Sequence, residues 1–416
     1  MALPPPSKLG RYRVLSPNCG LRVSPLQLGA MSIGQASAAS LGSMDKKTSF
    51  ELLDTYYDLG GNYIDTANGY QEEESEEWVG EWMAKKGVRD DMIVATKYTA
   101  NYKSGGKASK HPISINRCVS VEHGLSRLGR GLDVTVLVLR HLLRSGNSYK
   151  SMYVSLEASL KKLQTTYVDI LYVHWWDWTT PVAEIMQGLN NLVKMGKVLY
   201  LGVSDTPAWV ISKANQYARD HGLAPFVIYQ GRWSAAVRDL ERDLLPMCRE
   251  EGMAIAPWGA IGQGRFQRKA DQGKSKDGRS AQKLSEDEIK VSAALEKVAD
   301  DLKVESITAV ATAYVMSKYP YVYPILGGRK VEHLKANVTA LDIHLTPEQV
   351  RAIDKTLPFD YGQPQSQFGL DPHMTGYQQH FSLETAGIVD YVPNPLGLDM
   401  TNVRESDKAA DAKWKA

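Results

Sequence analysis

The chain has 416 residues, 43% of them hydrophobic and 23% charged, with a formal net charge of +2. That is the make-up of an ordinary soluble globular protein, and so small a charge argues against a nucleic-acid binder or a membrane-surface protein held by electrostatics. The cysteines Cys19, Cys118 and Cys248 stand far apart with no CxxC pair, so reduced thiols are expected, with neither a disulfide framework nor a metal site.

The opening MALPPPSKLGRYRV is too polar and proline-rich for a secretory signal, and no later stretch is apolar for long enough to span a bilayer; a cytoplasmic protein is the expectation. Tyr12-Arg-Val-Leu15 and Leu21-Arg-Val23 flank a Ser-Pro-Asn-Cys-Gly turn and read as a hairpin ahead of the main sheet. Eight strand candidates follow: Leu26–Ala30, Tyr63–Thr66, Ile93–Lys97, Val168–His174, Val198–Ser204, Phe226–Gln230, Ala254–Trp258 and Val322–Leu326. Amphipathic stretches separate them. Ser49–Leu59 closes on Gly60-Gly61, Tyr153–Leu163 repeats leucine at helical spacing, and Pro207–His221 starts on proline and stops at Gly222.

Alternation of this kind predicts an α/β fold, a (β/α)8 barrel with an N-terminal β-hairpin and extended βα loops. No GxGxxG follows the first strand, which weakens a doubly wound open sheet. The barrel is placed in residues 1–375, and 376–416 form a tail expected to be partly disordered. Two segments exceed a minimal barrel: about 107–144, and Gly259–Ser292. By position both are βα loops.

Three strands end on a chemically useful side chain. Asp65, Lys97 and His174 close successive apolar runs, with Tyr70 five residues beyond Asp65. In a parallel barrel such positions gather at one rim, which predicts a proton-transfer site and therefore an enzyme. Each residue alone reads more readily as a structural ion pair or a core histidine; four together do not.

The stretches GNYIDTANGYQEEESEEWVGEWM, IVATKYTANYKSG, SLKKLQTTYVDILYVHWWDW, LGVSDTPAWVISKAN, IYQGRWS, APWGAIGQGRFQ and PILGGRKVEHLKANVTAL resemble the aldo-keto reductases, in particular the fungal aryl-alcohol dehydrogenase and norsolorinic acid reductase branch. The resemblance covers most of residues 10–375. It implies an NADPH-dependent carbonyl reductase with a catalytic tetrad at Asp65, Tyr70, Lys97 and His174. Carbonyl reduction needs a hydride on carbon and a proton on oxygen, and NADPH supplies the first. Lys97 would favour ionisation of Tyr70, Asp65 would keep Lys97 charged, and neutral His174 would orient the carbonyl.

The cofactor segments follow from the same reading. Ser204, Asp205 and Gln230 would clamp the carboxamide beside Asp65, and Trp258 would stack on the nicotinamide. Gly259, Ala260, Ile261, Gly262, Gly264 and Arg265 would cover the pyrophosphate. After the eighth strand, Gly327, Gly328, Arg329 and Lys330 lead into a helix with His333 and Asn337, and the basic pair would select the 2′-phosphate. Many members of the family carry arginine where His333 falls. Trp176 and Trp233, with Tyr70 and His174, are the expected substrate contacts, and their indoles suit a flat aryl or polycyclic aldehyde or ketone. A tailoring step in fungal secondary metabolism is the implied setting, with a monomer or homodimer as the assembly.

The segment 107–144 has no counterpart in the resemblance. It reads either as a substrate lid or as translated non-coding sequence from a mis-assigned exon boundary, and its lack of any consistent period favours the second. Two rival functions follow: an NADPH-binding regulatory subunit of the potassium-channel β type, and an enzyme inactivated by its insertion.

Overall fold

The computed structural model describes residues 5–37, 42–102, 145–273, 283–377, 379–395 and 397; the 107–144 segment and the last residues of the tail lie outside this set. A two-stranded antiparallel hairpin comes first, β1 (Arg13–Ser16) and β2 (Cys19–Val23), in the register Arg13 opposite Val23. An eight-stranded parallel sheet follows: β3 (Gln27–Gly29), β4 (Tyr63–Asp65), β5 (Ile93–Tyr98), β6 (Val168–Val173), β7 (Val198–Ser204), β8 (Phe226–Arg232), β9 (Ala254–Trp258) and β10 (Ile325–Leu326). Its order, β10-β3-β4-β5-β6-β7-β8-β9, is that of a (β/α)8 barrel. Beside the β10–β3 pairing, a single parallel bridge from Ile255 to Val322 links β9 to the approach to β10. The eighth strand is shorter than its sequence suggests because Pro324 has no N–H to give the ladder; its carbonyl accepts from Gln27 N at 2.9 Å instead.

The helices are α1 (Lys46–Asp58), α2 (Glu74–Lys86), α3 (Tyr149–Lys162), α4 (Val182–Lys194), α5 (Ala208–Asp220), α6 (Leu244–Glu250), α7 (Glu286–Asp301), α8 (Ile307–Met316), α9 (Val331–Val338) and α10 (Pro347–Asp354). Two of them start earlier than hydrophobic periodicity indicates, because polar caps set their first turns. Asp45 Oδ1 accepts from Thr48 N at 2.7 Å ahead of α1, and Ser148 caps α3. The Gly259–Ser292 loop ends sooner than expected, at a capping box between Ser285 and Glu288 that opens α7.

By contacts the described chain divides into two compact units. One comprises the described residues up to Leu28, Thr55–Asn62 and those from Val227 onward; the other comprises Gly29–Asp54 and Tyr63–Phe226. The second holds β4 to β7 in register, Asp65 with Ala95, Lys97 with Tyr172, and Tyr172 with Gly202. Gly202 has a steric purpose: a Cβ there would stand 2.5 Å from the Tyr172 ring. The aromatic ring therefore fills the core directly beside Lys97. On the opposite parity of β5, Thr96 Oγ1 donates to Glu76 of α2 at 2.5 Å, so one strand delivers Lys97 inward and fastens a helix outward.

Outside the strands, α2 packs against the end of α3. Lys162 Nζ reaches Glu76 Oε2 at 2.6 Å and Glu73 Oε2 at 3.1 Å. A Cβ on Gly80 would lie 2.3 Å from the Lys162 carbonyl oxygen. Helical glycine normally costs about 1 kcal/mol relative to alanine. At this position the sign reverses: Gly80→Ala is expected to destabilise by about 1–3 kcal/mol through overpacking, read as a lowered Tm in thermal unfolding. A raised Tm would show that the two helices do not approach this closely.

Candidate active site

The site grows from the β4–β5 ladder. Pairing does not stop at Asp65: Thr66 N donates to Ala95 O at 2.9 Å and Asn68 N to Lys97 O at 3.1 Å. The extension carries the chain alongside β5 before Tyr70 N closes a turn on Ala67 O at 3.2 Å. Tyr70 is thereby brought back over Lys97. Lys97 is wholly buried, at 0% exposure, with Nζ 2.7 Å from Asp65 Oδ2, 2.7 Å from the Thr66 carbonyl and 3.5 Å from the Tyr70 hydroxyl. His174, just past the end of β6, sets its ring 6.0 Å from that of Tyr70 and nearly perpendicular to it.

The electrostatics separate three roles. Burial opposes the Lys97 charge, but the Asp65 carboxylate and the Tyr70 oxygen outweigh it and hold the ammonium above its ordinary pKa. Burial drives the His174 ring well below the histidine range and the Lys97 charge adds to this, so the neutral imidazole is the resident form. Its Nδ1 is buried without a protein partner. Tyr70 departs from the sequence expectation. Lys97 does pull the phenol down, but burial is the larger effect and Asp65 and Asp205 reinforce it, so the net direction is up. Tyr70 is a protonated phenol at neutral pH.

A second network surrounds His174 and was not legible as a motif. Thr99 holds φ +100°, a conformation β-branched residues rarely adopt. Its Oγ1 donates to Asn147 Oδ1 at 2.7 Å and accepts from His174 N at 3.3 Å. Asn147 Nδ2 donates to Trp175 O at 3.0 Å, and its backbone N–H donates to Asp177 Oδ2 at 2.7 Å. Asp177 also accepts from the backbone N–H and the hydroxyl of both Thr179 and Thr180. The turn after β6 is thus fixed on every side.

The two expected indole contacts differ in their surroundings. Trp176 shares the parity of His174, but strand alternation ends at Val173, and Trp176 is buried. Its neighbour Trp175 is exposed and lies 4.8 Å from the His174 ring. Trp178, 64% exposed and held at φ +62°, pairs at 6.1 Å with Trp209, 61% exposed, in the first turn of α5. Trp233, after β8, is 0% exposed and its indole N–H donates to Glu241 Oε1 at 3.0 Å.

The expected cofactor residues divide similarly. Ser204 and Asp205 lie at the end of β7, with Asp205 exposed at φ +41°. Gln230 is buried in β8, and Trp258 ends β9 with the Arg232 guanidinium 5.8 Å from its ring. Gly259, Gly262 and Gly264 all take positive φ around the buried Ala260 and the half-buried Ile261. Arg265, expected over the pyrophosphate, donates to both carboxylate oxygens of Glu288. Asn337 is buried and its Oδ1 accepts from Thr308 Oγ1 at 2.7 Å.

The residues after β10 suit an anionic group better. A Cβ on Gly327 would meet nothing within 4 Å, and on Gly328 only His333 Cβ at 3.8 Å. Burial, then Lys330, and more weakly Arg329 push the His333 ring below its ordinary pKa, with Glu332 opposing. An open glycine turn ringed by positive charge is the chemistry a phosphate needs. Among the described residues no group of His, Cys, Asp and Glu could hold a metal ion, and no helix is long and apolar enough to cross a membrane.

A parallel barrel that buries a lysine between an aspartate and a tyrosine, beside a neutral histidine, brings together the groups that carbonyl reduction requires. The Aldo/keto reductase family model matches residues 25–358. An aryl-alcohol dehydrogenase [NADP(+)] of Phanerodontia chrysosporium is 52% identical, over 88% of this chain and 90% of its own length. Norsolorinic acid reductase B of Dothistroma septosporum is 51% identical over 85% and 83%. A crystal structure of a thermostable aldo-keto reductase with the inhibitor epalrestat overlays with a TM-score of 0.60 at 24% identity, over 83% of this chain and 99% of its own, which speaks to the fold alone. The chain belongs to the aldo/keto reductase family.

Removing the ammonium should expose how much depends on it. Lys97→Met leaves Asp65 as an uncompensated buried carboxylate, expected to cost about 3–5 kcal/mol of stability together with nearly all reductase activity. Denaturant unfolding and NADPH oxidation measure the two. A variant as stable as the parent would mean that Asp65 is solvated and the relay is not buried.

Proposed function

We propose that the protein reduces the carbonyl of a flat aryl or polycyclic aldehyde or ketone to the alcohol, with NADPH, as a tailoring step in fungal secondary metabolism. The observation that carries the reading is the buried Lys97 ammonium held between Asp65 and the Tyr70 hydroxyl. The aromatic substrate class is supported by the exposed indoles of Trp175, Trp178 and Trp209 and by the names of the relatives. Those relatives are dehydrogenases and reductases, which disfavours a channel-type regulatory subunit.

NADPH when bound supplies the hydride. Arg329 and Lys330 are the residues proposed to hold its 2′-phosphate, with Gly327 and Gly328 giving the backbone room to approach, and His333 a weaker third contact. Ser204, Asp205 and Gln230 are proposed for the carboxamide, Trp258 for the nicotinamide face, and the Gly259–Gly264 loop for the pyrophosphate. Tyr70 gives its proton to the carbonyl oxygen as negative charge develops there. Lys97 stabilises the phenolate left behind, and Asp65 keeps Lys97 charged through the step. Neutral His174 donates a hydrogen bond to the same oxygen without competing to transfer a proton.

The raised Tyr70 pKa fixes the sign of the pH dependence. Reduction requires the protonated phenol, which is fully present below its pKa and lost above it. Reduction of an aryl aldehyde should therefore stay level through neutrality and decline only beyond about pH 10, while alcohol oxidation, which needs the phenolate, rises with pH. Tyr70→Phe should bind NADPH nearly normally, by fluorescence titration, and lose reduction by at least about a hundredfold. Unchanged turnover in that variant removes Tyr70 from the chemistry.

The substrate class is open to its own check. Trp178→Ala and Trp209→Ala alter exposed rings and should leave stability intact. Each is expected to raise the KM for a tricyclic aromatic carbonyl by about tenfold, the equivalent of one aromatic pair, while benzaldehyde-type substrates are barely affected. Equal effects on small and large substrates would rule out a ring-stacking platform at this position.

A further inference from the structure

The residue after the proposed acid is backbone-strained and completely buried, and the mechanism above gives it no task. Gln71, Glu72 and Glu73 hold φ values of +51°, +53° and +88°, a left-handed turn made without glycine. Such a turn persists only where its surroundings over-determine it. Gln71 supplies the surroundings. It is 0% exposed, and Nε2 donates to Met31 O at 3.0 Å and to Gly42 O at 2.8 Å, while Oε1 accepts from Ser37 N at 2.8 Å. Both amide donors and the acceptor are used, all on the backbone of the loop that follows β3.

The same loop is stitched a second time from the far side of the turn. Glu74 Oε2 accepts from Gln35 N at 2.6 Å and from Ala36 N at 3.1 Å. Between the two stitches the loop comes so close that a Cβ on Gly34 would stand 2.5 Å from Gln71 Cβ. Within the turn, Glu73 is tied to Lys162. On its N-terminal side Tyr70 is anchored by the Asn68–Lys97 and Tyr70–Ala67 backbone bonds and by Lys162 Nζ, which donates to Asn68 O at 3.1 Å. Its C-terminal side is held by Gln71.

We propose that Gln71 is a positioning residue, whose carboxamide locks a left-handed turn against the loop after β3 and thereby fixes the Tyr70 hydroxyl over Lys97. This rests on the reading of Tyr70 as the proton donor. Gln71 touches no reacting atom; it acts through the position of its neighbour. A glycine would adopt the turn without strain but could not hold it, because the three hydrogen bonds belong to the side chain.

The test compares Gln71→Ala, Gln71→Gly and Gln71→Glu with the parent and with Tyr70→Phe, each as full-length protein with NADPH and an aryl aldehyde. In Gln71→Ala and Gln71→Gly, kcat is expected to fall about tenfold to a hundredfold, the scale of a small misplacement of a reacting group, with the NADPH Kd nearly unchanged. The high-pH limb of reduction should move upward as Tyr70 leaves Lys97, the cation that acts on it against Asp65 and Asp205. Amide exchange at Gln35, Ala36 and Ser37 should accelerate in the same variants. Gln71→Glu keeps the chain length but loses both donors, and should resemble Gln71→Ala rather than the parent. Lowered Tm with kcat and pH profile unchanged would overturn the proposal by making Gln71 merely structural, and so would faster loop exchange without loss of kcat. If Tyr70→Phe retains activity, the assignment of the acid fails first, and that outcome is read from its own arm.

Discussion

The contact between Lys97 and Asp65 organises everything else at this rim. An ammonium with no exposure to water is tolerable only beside a carboxylate and with its remaining protons satisfied. Here the Thr66 carbonyl and the Tyr70 hydroxyl complete its coordination. The requirement reaches outward. Asp65 must end β4 level with β5, the ladder must continue to Asn68, and Tyr172 must fill the space beneath, which in turn demands glycine at position 202. A single buried charge accounts for residue choices on four consecutive strands.

Backbone strain is concentrated on the same side of the sheet. Among the described residues, each connection leaving β4, β5, β6 and β7 carries a non-glycine residue at positive φ: Gln71 to Glu73, Thr99, Trp178 and Asp205. These lie at the carboxyl ends of the strands, where a parallel barrel places its working residues. The strained positions are held by side chains that bond to backbone, Gln71 and Asn147 chief among them. Rigid loops of this kind position groups more accurately than flexible ones, at the expense of stability that strands and helices must make up.

The strands, the helices and the four polar residues at the rim were legible because each rests on short-range pattern. Apolar runs of β-branched residues make strands, and a charged residue closing such a run stands out. What was hidden depends on contacts distant in sequence. Glu241 takes the Trp233 N–H and Glu288 the Arg265 guanidinium, pairings that no short-range pattern announces. Parity does not place Trp176, because the strand ends one residue before His174. Gln71 gave no signal at all, since a glutamine in a left-handed turn has no compositional mark, and its three partners lie about thirty to forty residues upstream.

The opposing influences on Tyr70 decide its resting protonation state. Sequence reasoning looks for a lysine that makes the phenol acidic, and Lys97 does act that way. Burial and two carboxylates act against it and prevail. A phenol held protonated is the form that delivers a proton, while the reverse reaction, alcohol oxidation, draws on its phenolate. Of the two carboxylates, Asp205 is exposed and follows β7 at a left-handed position, and its charge is the weakest of the influences on Tyr70. Burial is the strongest, so the protonated state rests on where the ring sits. Enclosure of the phenol and the nearby Lys97 ammonium pull in opposite senses, and the same fold supplies both.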